Sequence, residues 1–557
     1  MTIERKKLRW NGWGWADHDF DLAGREDLVW EWLRGQLQLP RFDERPAVDL
    51  DDVELPAARL DAAQLDGLAA IVGEAHVKTD RFERAFHARG KSYHDMLHLR
   101  SGKVDVAPDA VVYPEDADEV LALLKFAAEH KITVVPFGGG SSVVGGVGAH
   151  KGPGHRAVVT VDLTRMDRVL EVDELSQTAT IQAGIYGPKL EADLATRGYT
   201  LGHYPQSFEF STLGGWIAAR GAGQQSNRYG RADEWVVSST VVTPRGVWRT
   251  ERFPASAAGP NLGDLVPGSE GRLGIITEAT VIVHPQPAER DYRGYLFKDF
   301  GRGTDAMREI MQEGLPVAML RLSDAEETSF LQAFSNQRKP QGKVERAANK
   351  VLELGGWADG RCIMLVGIEG EADNVKASLA RSSAIIRRNG GFPLGRSAGK
   401  SWYKSRFAMP YLRDPLMDRG VGVDTLETST HWSNVLPLHR TVTTAIRDAL
   451  AEHAPGKSMV MCHISHCYDD GASLYFTFVF GQAPPDECLA QWHAVKQAAS
   501  DAIAEHGGTI SHHHGVGTDH LPWMAREKGE VGRVVLAAVS EKLDPDRLLN
   551  PGKLLPE

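Results

Sequence analysis

Three adjacent histidines near the end of the chain form the densest group of side chains that could do chemistry. They lie in the sequence Ser511-His512-His513-His514-Gly515-Val516-Gly517. Imidazoles exchange protons near neutral pH and bind phosphate when charged, so this loop suits a proton acceptor or an anion clamp. Because adjacent side chains on a loop point in different directions, we expect that the three rings do not share one metal ion. The alternative interpretation is a polar turn.

A tyrosine lies on an alternating segment ahead of this loop. In the sequence Leu474-Tyr475-Phe476-Thr477-Phe478-Val479-Phe480 the phenylalanines alternate with Tyr475, Thr477 and Val479. A strand with this pattern places the phenylalanines on one face and the other three on the opposite face. Tyr475 is therefore a candidate for proton transfer on the less apolar face, although a tyrosine in such a strand is more often structural.

His466 and Tyr468 lie just upstream of this strand, and we expect them to line the same pocket. A metal site built from His463 and His466 is a weak alternative, since no acidic residue completes the loop from His512 to Gly515. The sequence therefore predicts no metal.

Two arginines are candidates for binding an anion. Arg321 lies in Leu-Arg-Leu-Ser-Asp and Arg413 in Tyr-Leu-Arg-Asp. A guanidinium suits a carboxylate or a phosphate because it donates paired N–H bonds. The alternative for each is an ordinary surface ion pair.

A basic stretch lies beside aromatic residues and is a candidate for peripheral contact with a membrane. Its members are Arg338, Lys339, Lys343, Arg346 and Lys350, beside Phe330, Leu331 and Phe334. Such a stretch can lie on a membrane surface where a lipid substrate enters. The alternative is a solvated helix face.

Three glycine-rich segments in the first half suggest a bound phosphate compound. Gly138-Gly139-Gly140-Ser141-Ser142 follows the β-branched run Ile-Thr-Val-Val-Pro-Phe, so its backbone N–H groups can form an anion-binding nest. It matches neither the dinucleotide fingerprint G-x-G-x-x-G nor a Walker A loop. Gln-Ser-Phe-Glu-Phe-Ser-Thr-Leu-Gly-Gly-Trp from Gln206 and Gly-Ser-Glu-Gly-Arg-Leu-Gly-Ile-Ile-Thr from Gly268 add two further segments. Three unrelated turns are a poorer explanation than one site.

Composition excludes several classes of protein. The chain has 557 residues, a net charge of -11 and a pI near 6.0, so it has no overall basic field for nucleic acid. Its four cysteines form no C-x-x-C pair, which suits a reducing compartment. We find no secretory signal and no apolar run approaching eighteen residues, and we expect a cytoplasmic protein.

The order of the elements predicts several structural units. Residues 1–100 read as an N-terminal helical extension, 101–287 as the block that contains the glycine-rich segments, 288–510 as a second domain, and 511–557 as a C-terminal segment that carries the histidine loop and packs back on the first block. A helix is expected after Pro114, followed by a strand at 132–137. Further strands are expected near 157–163, 178–183, 235–244, 274–284, 361–368 and 473–480.

The three glycine-rich segments, in this order and spacing, resemble the FAD-binding domain of the vanillyl-alcohol-oxidase superfamily. Matches from Leu-Arg-Trp-Asn-Gly-Trp-Gly-Trp at Leu8 to His-His-His-Gly-Val-Gly narrow the resemblance to the alkyldihydroxyacetonephosphate synthase family, over nearly the whole chain. The resemblance implies an α+β fold with a two-subdomain FAD-binding (PCMH-type) domain, a separate α/β cap domain that binds substrate, and a helical C-terminal segment. It also implies non-covalently bound FAD, and we expect a homodimer.

The resemblance also implies roles for individual residues. Tyr475, His512, His513, His514 and Arg321 are implied to be catalytic, and Arg413 to bind substrate. The residues after Arg413 depart from the family pattern, which leaves the lipid-tail contacts open. The residues implied to bind FAD are Pro136, Phe137, Gly138, Gly139, Gly140, Ser141, Ser142, Gln206, Ser207, Phe208, Glu209, Phe210, Ser211, Thr212, Ala219, Arg220, Gly221, Ala222, Glu270, Gly271, Arg272, Leu273, Gly274, Ile275 and Ile276.

The reaction that the resemblance implies is formation of an ether lipid precursor. The acyl group of acyl-dihydroxyacetone phosphate is exchanged for a fatty alcohol through a flavin N5 adduct, with no net redox change. The alternative is an FAD-dependent D-2-hydroxyacid dehydrogenase or oxidase on the same scaffold. A flavin-binding module without catalysis is a third interpretation, which the filled tyrosine, arginine and histidine positions disfavour.

Overall fold

The computed structural model describes residues 3–22, 24–251, 253–335 and 360–556. The basic stretch from Arg338 to Lys350, which we predicted to contact a membrane, lies outside the described residues. In the described ranges, every helix is too short or too polar to cross a membrane.

The first subdomain is built on a four-stranded sheet that presents the glycine loop. Its strands, in spatial order, are Val77–Lys78, Ala110–Val112, Ala157–Asp162 and Ile132–Phe137, and the last three run parallel. All six residues of Ala157–Asp162 are buried, as expected for a parallel strand covered on both faces. Asp116 is the N-cap of helix Ala117–His130, and its side chain accepts a hydrogen bond from the backbone N–H of Glu119. The loop from Gly138 follows the end of Ile132–Phe137.

The second subdomain carries the other two glycine-rich segments. Its antiparallel sheet has the order Val169–Asp173, Thr178–Gln182, Ile275–Ile282, Val236–Thr243 and Gly246–Arg249. A two-stranded sheet joins His284–Pro285 to Tyr199–Thr200. The helices are Gly187–Ala195, Leu213–Ala218, Ser226–Tyr229 and Ala232–Trp235.

The cap is a seven-stranded antiparallel sheet covered by helices. The strand order is Phe392–Gly395, Glu289–Phe297, Cys362–Gly370, Met319–Ser323, Met459–Ile464, Gly471–Gly481 and Val421–His431. Its helices are Phe300–Gln312, Ala325–Ser335, Ala372–Arg388, Arg396–Ser405, Arg413–Met417, Trp432–His453 and Cys488–Glu505. The phenylalanines at 476, 478 and 480 are buried in the core. The predicted alternation along this strand is therefore confirmed.

Both ends of the chain pack against these domains. The N-terminal helices are Glu26–Gln36, Ala62–Val72, Arg81–Phe86 and Tyr93–Arg100. Residues 1–100, which we predicted to be an extension, contribute the strand Val77–Lys78 to the first sheet. After helix Met524–Leu543 the chain returns to the first subdomain, where the N–H of Asn550 donates to the carbonyl of Val134.

Short 3-10 helices complete the fold at Arg5–Lys7, Leu50–Asp52, Glu74–His76, Phe208–Phe210, Leu262–Leu265, Met409–Leu412 and Leu521–Trp523. The predicted fold class is confirmed.

Candidate active site

A cavity of about 430 Å³ lies between the two subdomains that carry the glycine-rich segments and the cap. All three glycine-rich segments line it, and the cap strands face them from the other side. The predicted cofactor residues that line it are Pro136, Phe137, Gly138, Gly139, Gly140, Ser141, Ser142, Gln206, Ser207, Ser211, Thr212, Ala219, Gly221, Ala222, Glu270, Gly271, Gly274 and Ile276.

Seven other predicted cofactor residues lie outside the cavity lining. They are Phe208, Glu209, Phe210, Arg220, Arg272, Leu273 and Ile275. Phe208 stacks on Phe407 with ring centroids 5.2 Å apart, Arg220 forms an ion pair with Asp233, and Arg272 donates to the carbonyl of Leu549. Residues next to a glycine-rich turn in the sequence were all predicted to bind the cofactor. In the structure some of them line the cavity, and others pack behind its wall.

The glycine loop is packed too closely for larger residues. A Cβ on Gly139 would lie 1.9 Å from the carbonyl oxygen of Phe210, and one on Gly138 would lie 2.2 Å from Oγ1 of Thr212. Behind the loop, Nη2 of Arg5 donates to the carbonyl of Gly138 over 2.6 Å and forms an ion pair with buried Asp162. Sequence reasoning missed Arg5 because it lies about 130 positions before the loop.

Buried polar atoms beside the cavity fit a bound dinucleotide. Nε1 of Trp13, both ring nitrogens of His203 and Oε1 of Gln224 have no hydrogen-bond partner in the described part of the chain, and all three residues line the cavity. Burial lowers the pKa of His203 to about 3, so the ring is neutral. A cofactor with ring and amide groups supplies partners for such atoms. The residues present therefore fit FAD.

Tyr475 lies on the cavity wall of the cap. The strand register places Glu427 and His463 directly opposite it on the two neighbouring strands, so the three side chains share one face. The ring of His463 stacks on Tyr475 at 4.7 Å, and His514 meets it edge-on at 5.7 Å. Burial raises the pKa of Tyr475, so the phenol keeps its proton at neutral pH.

Arg321 lines the cavity and is paired with a carboxylate. Its Nη2 is 3.0 Å from Oε1 of Glu327, and Nδ1 of His463 is 2.8 Å from the same oxygen. Burial opposes ionisation of Glu327, but His463 and Arg321 outweigh it and lower the carboxyl pKa to about 2. Arg321 therefore orients the histidine that stacks on Tyr475.

Arg413 also lines the cavity, but only part of its guanidinium is paired among the described residues. Nη1 donates to the backbone carbonyl of Lys91, while Nε and Nη2 are buried and have no hydrogen-bond partner among the described residues. Lys91 lines the same region, where burial and the nearby Arg413 lower its amine pKa to about 7. This pair is suited to an anionic group.

The three histidines of the loop divide into two groups. Nδ1 of His512 lies 3.1 Å from Nδ1 of His513, and both face Glu427, whose Oε2 is 2.5 Å from Nδ1 of His513. His514 lies on the side of Tyr475 instead. His513 and His514 line the cavity, whereas His512 lies behind it. The expectation that adjacent rings point apart therefore holds for His514, but not for the first two.

Glu427 is fully buried and is the centre of this cluster. Burial opposes its ionisation, but His513 and His512 hold the carboxyl pKa well below its usual value. Together with His466 these side chains place four ligand atoms within 4.8 Å of one another, which is compatible with a metal ion. The prediction of no metal thus stays a prediction. No sequence signal pointed to Glu427, which lies about 85 positions before the histidines.

Glu270 joins the histidine loop to the second subdomain. It accepts hydrogen bonds from the backbone N–H groups of Val516 and Gly517. Burial raises the pKa of Glu270 to about 7. The third glycine-rich segment thus both lines the cavity and holds the loop that carries the imidazoles.

Fold and site define a flavoprotein of the FAD-linked oxidase type. The domain family described as "FAD binding domain" matches residues 108–251, and "FAD linked oxidases, C-terminal domain" matches residues 286–554. The first match includes the glycine loop from Gly138, and the second includes Tyr475 in the cap and the histidine loop after it. FAD as the cofactor is therefore confirmed.

The chain belongs to the alkyldihydroxyacetonephosphate synthase family. It is 34% identical to the alkyldihydroxyacetonephosphate synthase of Dictyostelium discoideum, over 99% of this chain and 94% of that protein. The synthase of Trypanosoma brucei brucei is also 34% identical, over 100% of this chain and 94% of that protein. A solved alkyldihydroxyacetonephosphate synthase structure superposes with a TM-score of 0.82 at 31% identity, covering 99% of this chain and 98% of that one. The predicted family is thus confirmed.

Proposed function

We propose that this protein forms an ether bond by exchanging the acyl group of acyl-dihydroxyacetone phosphate for a fatty alcohol. The observation that carries the proposal is that one cavity joins an arginine with two nitrogens unpaired among the described residues, an apolar arm, and a tyrosine flanked by imidazoles. The substrates have the matching parts: a phosphate, long hydrocarbon chains and a carbon that exchanges a proton. A small D-2-hydroxy acid has no hydrocarbon chain that would fill the apolar arm.

The apolar arm lies between the helix Ala325–Ser335, the segment around Arg413 and the cap sheet. Its lining residues are Phe330, Leu331, Met409, Leu412, Leu416, Val423, Met461 and Val479. Each methylene of a chain buried here contributes about 0.8 kcal/mol, so a long chain is favoured over a short one. This supports a lipid substrate, and it leaves the preferred chain length to experiment.

The phosphate is assigned to Arg413, with Lys91 beside it. A doubly charged phosphate would restore the charge of Lys91, since an opposite charge nearby favours the protonated amine. FAD, when bound, supplies an electron-accepting ring next to the reacting carbon. The side chains that line the cavity bind the substrate, exclude water and move protons.

Proton transfer is assigned to Tyr475 and the imidazoles around it. Tyr475 is a neutral phenol and can donate a proton, while burial keeps the pKa of His514 well below its usual value, so that this ring stays neutral beside the phenol. His463 is held by Glu327 and Arg321, and its ring stacks on the ring of Tyr475 and so fixes the orientation of that ring.

The test is an assay of the purified holoprotein with acyl-dihydroxyacetone phosphate and a labelled long-chain alcohol. We expect release of fatty acid and label in the ether product. Anaerobic mixing with D-2-hydroxy acids should leave the flavin absorbance unchanged. Prompt bleaching by one of these acids, without ether formation, would show that the dehydrogenase alternative is correct.

Tyr475→Phe tests the assignment of the proton donor. The variant should lose turnover while it retains FAD, because only the hydroxyl is removed. Tyr295→Phe is the matched control, since Tyr295 lies in the same sheet and its hydroxyl contacts Ser383 away from the cavity. A Tyr475→Phe variant with full activity would refute the role.

A cytoplasmic location, peripheral contact with a membrane, non-covalent FAD and a homodimer stay predictions. So do the domain boundaries at residues 100, 287 and 510. The apolar arm is consistent with a substrate drawn from a lipid phase. Cosedimentation with phospholipid vesicles and light scattering of the purified protein check the membrane contact and the dimer.

A further inference from the structure

The strand register orders the side chains along the cap face of the cavity. Strands Met459–Ile464, Gly471–Gly481 and Val421–His431 lie side by side, and alternate residues of each point to the same face. The paired residues that line the cavity form three successive rows: Tyr475 with His463, then Thr477 with Thr425 and Met461, and then Val479 with Val423. The rows pass from a phenol and an imidazole, through two hydroxyls and a thioether, to aliphatic side chains. The polarity of this wall thus falls with distance from Tyr475.

The apolar arm ends beyond the third row. Tyr475 and Val479 are four residues apart on one strand, so the arm extends about 13 Å from the phenol. Among the residues that the structure describes, Val421 and Gly481 form the next row, and neither lines the cavity. A Cβ on Gly481 would lie 3.1 Å from Cδ2 of Leu39, so the chain after the N-terminal helix packs directly on this row. The N-terminal segment therefore covers the far end of the arm.

Phe330 forms a side wall of the arm. It follows Glu327, which is 2.8 Å from Nδ1 of His463, by three residues of the same helix, a rise of about 4.5 Å along the arm. Its ring stacks on Phe334 with centroids 4.5 Å apart and meets Trp32 edge-on at 6.0 Å. Phe330 is buried and lines the cavity, whereas Phe334 and Trp32 lie behind it. Trp32, from the N-terminal helix, thus holds Phe330 against the arm.

We propose that Phe330, Val423 and Val479 determine the longest hydrocarbon chain that the protein accepts. The inference rests on the proposed function, because it assumes that the chain of the fatty alcohol lies in the arm. Each methylene that leaves water for this apolar wall improves binding by about fourfold. A methylene that would pass the third row meets the close-packed side chain of Leu39 instead, so it adds nothing. Trp32 is a positioning residue, since it acts through Phe330.

Two substitutions should change the accepted chain length in opposite directions. Val423→Phe adds a ring at the third row, where the native side chain is only half-buried. For the longest alcohol that wild type accepts, kcat/KM should fall by about 16-fold to 64-fold, the loss of two or three buried methylenes, while short alcohols react as before. Phe330→Ala should extend the series, so that kcat/KM still rises at lengths where wild type has levelled off. The assay uses saturated alcohols from octanol to docosanol at a fixed concentration of acyl-dihydroxyacetone phosphate.

Phe42→Ala and Val247→Phe are the controls for the loss and the gain of a ring. Phe42 packs on Trp30 in the same apolar cluster, and Val247 lies on an edge strand of the second subdomain. Neither lines the cavity, so both variants should keep the wild-type dependence on chain length. Phe330→Leu, a milder truncation, replaces Phe330→Ala if that variant does not retain FAD. A wild-type length profile in Val423→Phe, or no extension after truncation of Phe330, overturns the proposal.

Binding of the alcohols to the holoprotein tests the inference without turnover. Calorimetric titration with alcohols solubilised in cyclodextrin should show an affinity that rises with chain length up to a limit, and the two variants should shift that limit in opposite directions. Equal limits in wild type and both variants overturn the inference. Ether formation with unshifted limits refutes only the role of these residues, whereas shifted limits without any ether product refute only the proposed function.

Discussion

Replacing Arg413 by methionine should separate function from stability. Nε and Nη2 of Arg413 lack hydrogen-bond partners among the described residues, so in the free protein the buried guanidinium is a cost. An unsatisfied buried polar group costs about 1–3 kcal/mol, and an apolar residue of similar volume avoids that cost. We therefore expect the thermal midpoint of Arg413→Met to equal or exceed that of wild type.

The same substitution should strongly reduce activity. If the substrate phosphate accepts hydrogen bonds from both nitrogens at about 1.5 kcal/mol each, the loss is about 3 kcal/mol. At about 1.4 kcal/mol per tenfold change, kcat/KM should fall by about 150-fold. Lys91 would keep part of the attraction, so a smaller loss is expected if the phosphate lies nearer to the amine.

The assay is kcat/KM for acyl-dihydroxyacetone phosphate, together with melting curves in inorganic phosphate. Phosphate should raise the midpoint of wild type more than that of Arg413→Met. Arg419→Met is the control, because Arg419 follows the short helix Arg413–Met417, contacts Pro415 and Trp30, and does not line the cavity. A value of kcat/KM within about threefold of wild type would refute the assignment of two charged hydrogen bonds.

Two further predictions concern the cofactor loop and the histidine loop. Gly139→Ala should yield protein with little bound FAD, measured from the flavin absorbance, because the new Cβ would lie 1.9 Å from the carbonyl of Phe210; Gly35→Ala, which has open space around it, should bind FAD normally. The raised pKa of Glu270, about 7 against 4.5 unfolded, means that the folded apoprotein binds more protons between these values. Its stability should therefore fall by about 3 kcal/mol as pH rises from about 4.5 to above 7, and Glu270→Gln should flatten this dependence in denaturant titrations. Equal slopes for the two proteins would contradict the assignment.

Local features of the site were predictable from the sequence. The glycine loop follows its strand directly, and the alternation around Tyr475 depends only on the two-residue period of a strand. Both are confirmed because neighbours in the chain decide them. Resemblance to a family added the candidate roles, but it assigned Phe208 and Arg272 to the cofactor site, whereas both side chains lie outside the cavity lining.

Contacts between distant parts of the chain were not predictable. Arg5 supports the glycine loop, Glu270 holds the histidine loop, and Glu427 gathers two of its imidazoles. Each contact joins residues far apart in sequence, so no local motif predicts the contact. Charged residues of this kind look the same in a sequence whether they are paired at the surface or buried at a site.

The sequence by itself determined the strand before the glycine loop and the strand that carries Tyr475, because these follow from local backbone preferences, and its resemblance to a known family indicated the family and the cofactor. Only the tertiary structure decided which of the two arginines is paired with a carboxylate. Arg321 is paired with Glu327, whereas Nε and Nη2 of Arg413 have no hydrogen-bond partner in the described ranges. That difference arises from packing of strands and helices that bring a carboxylate to one guanidinium and not to the other.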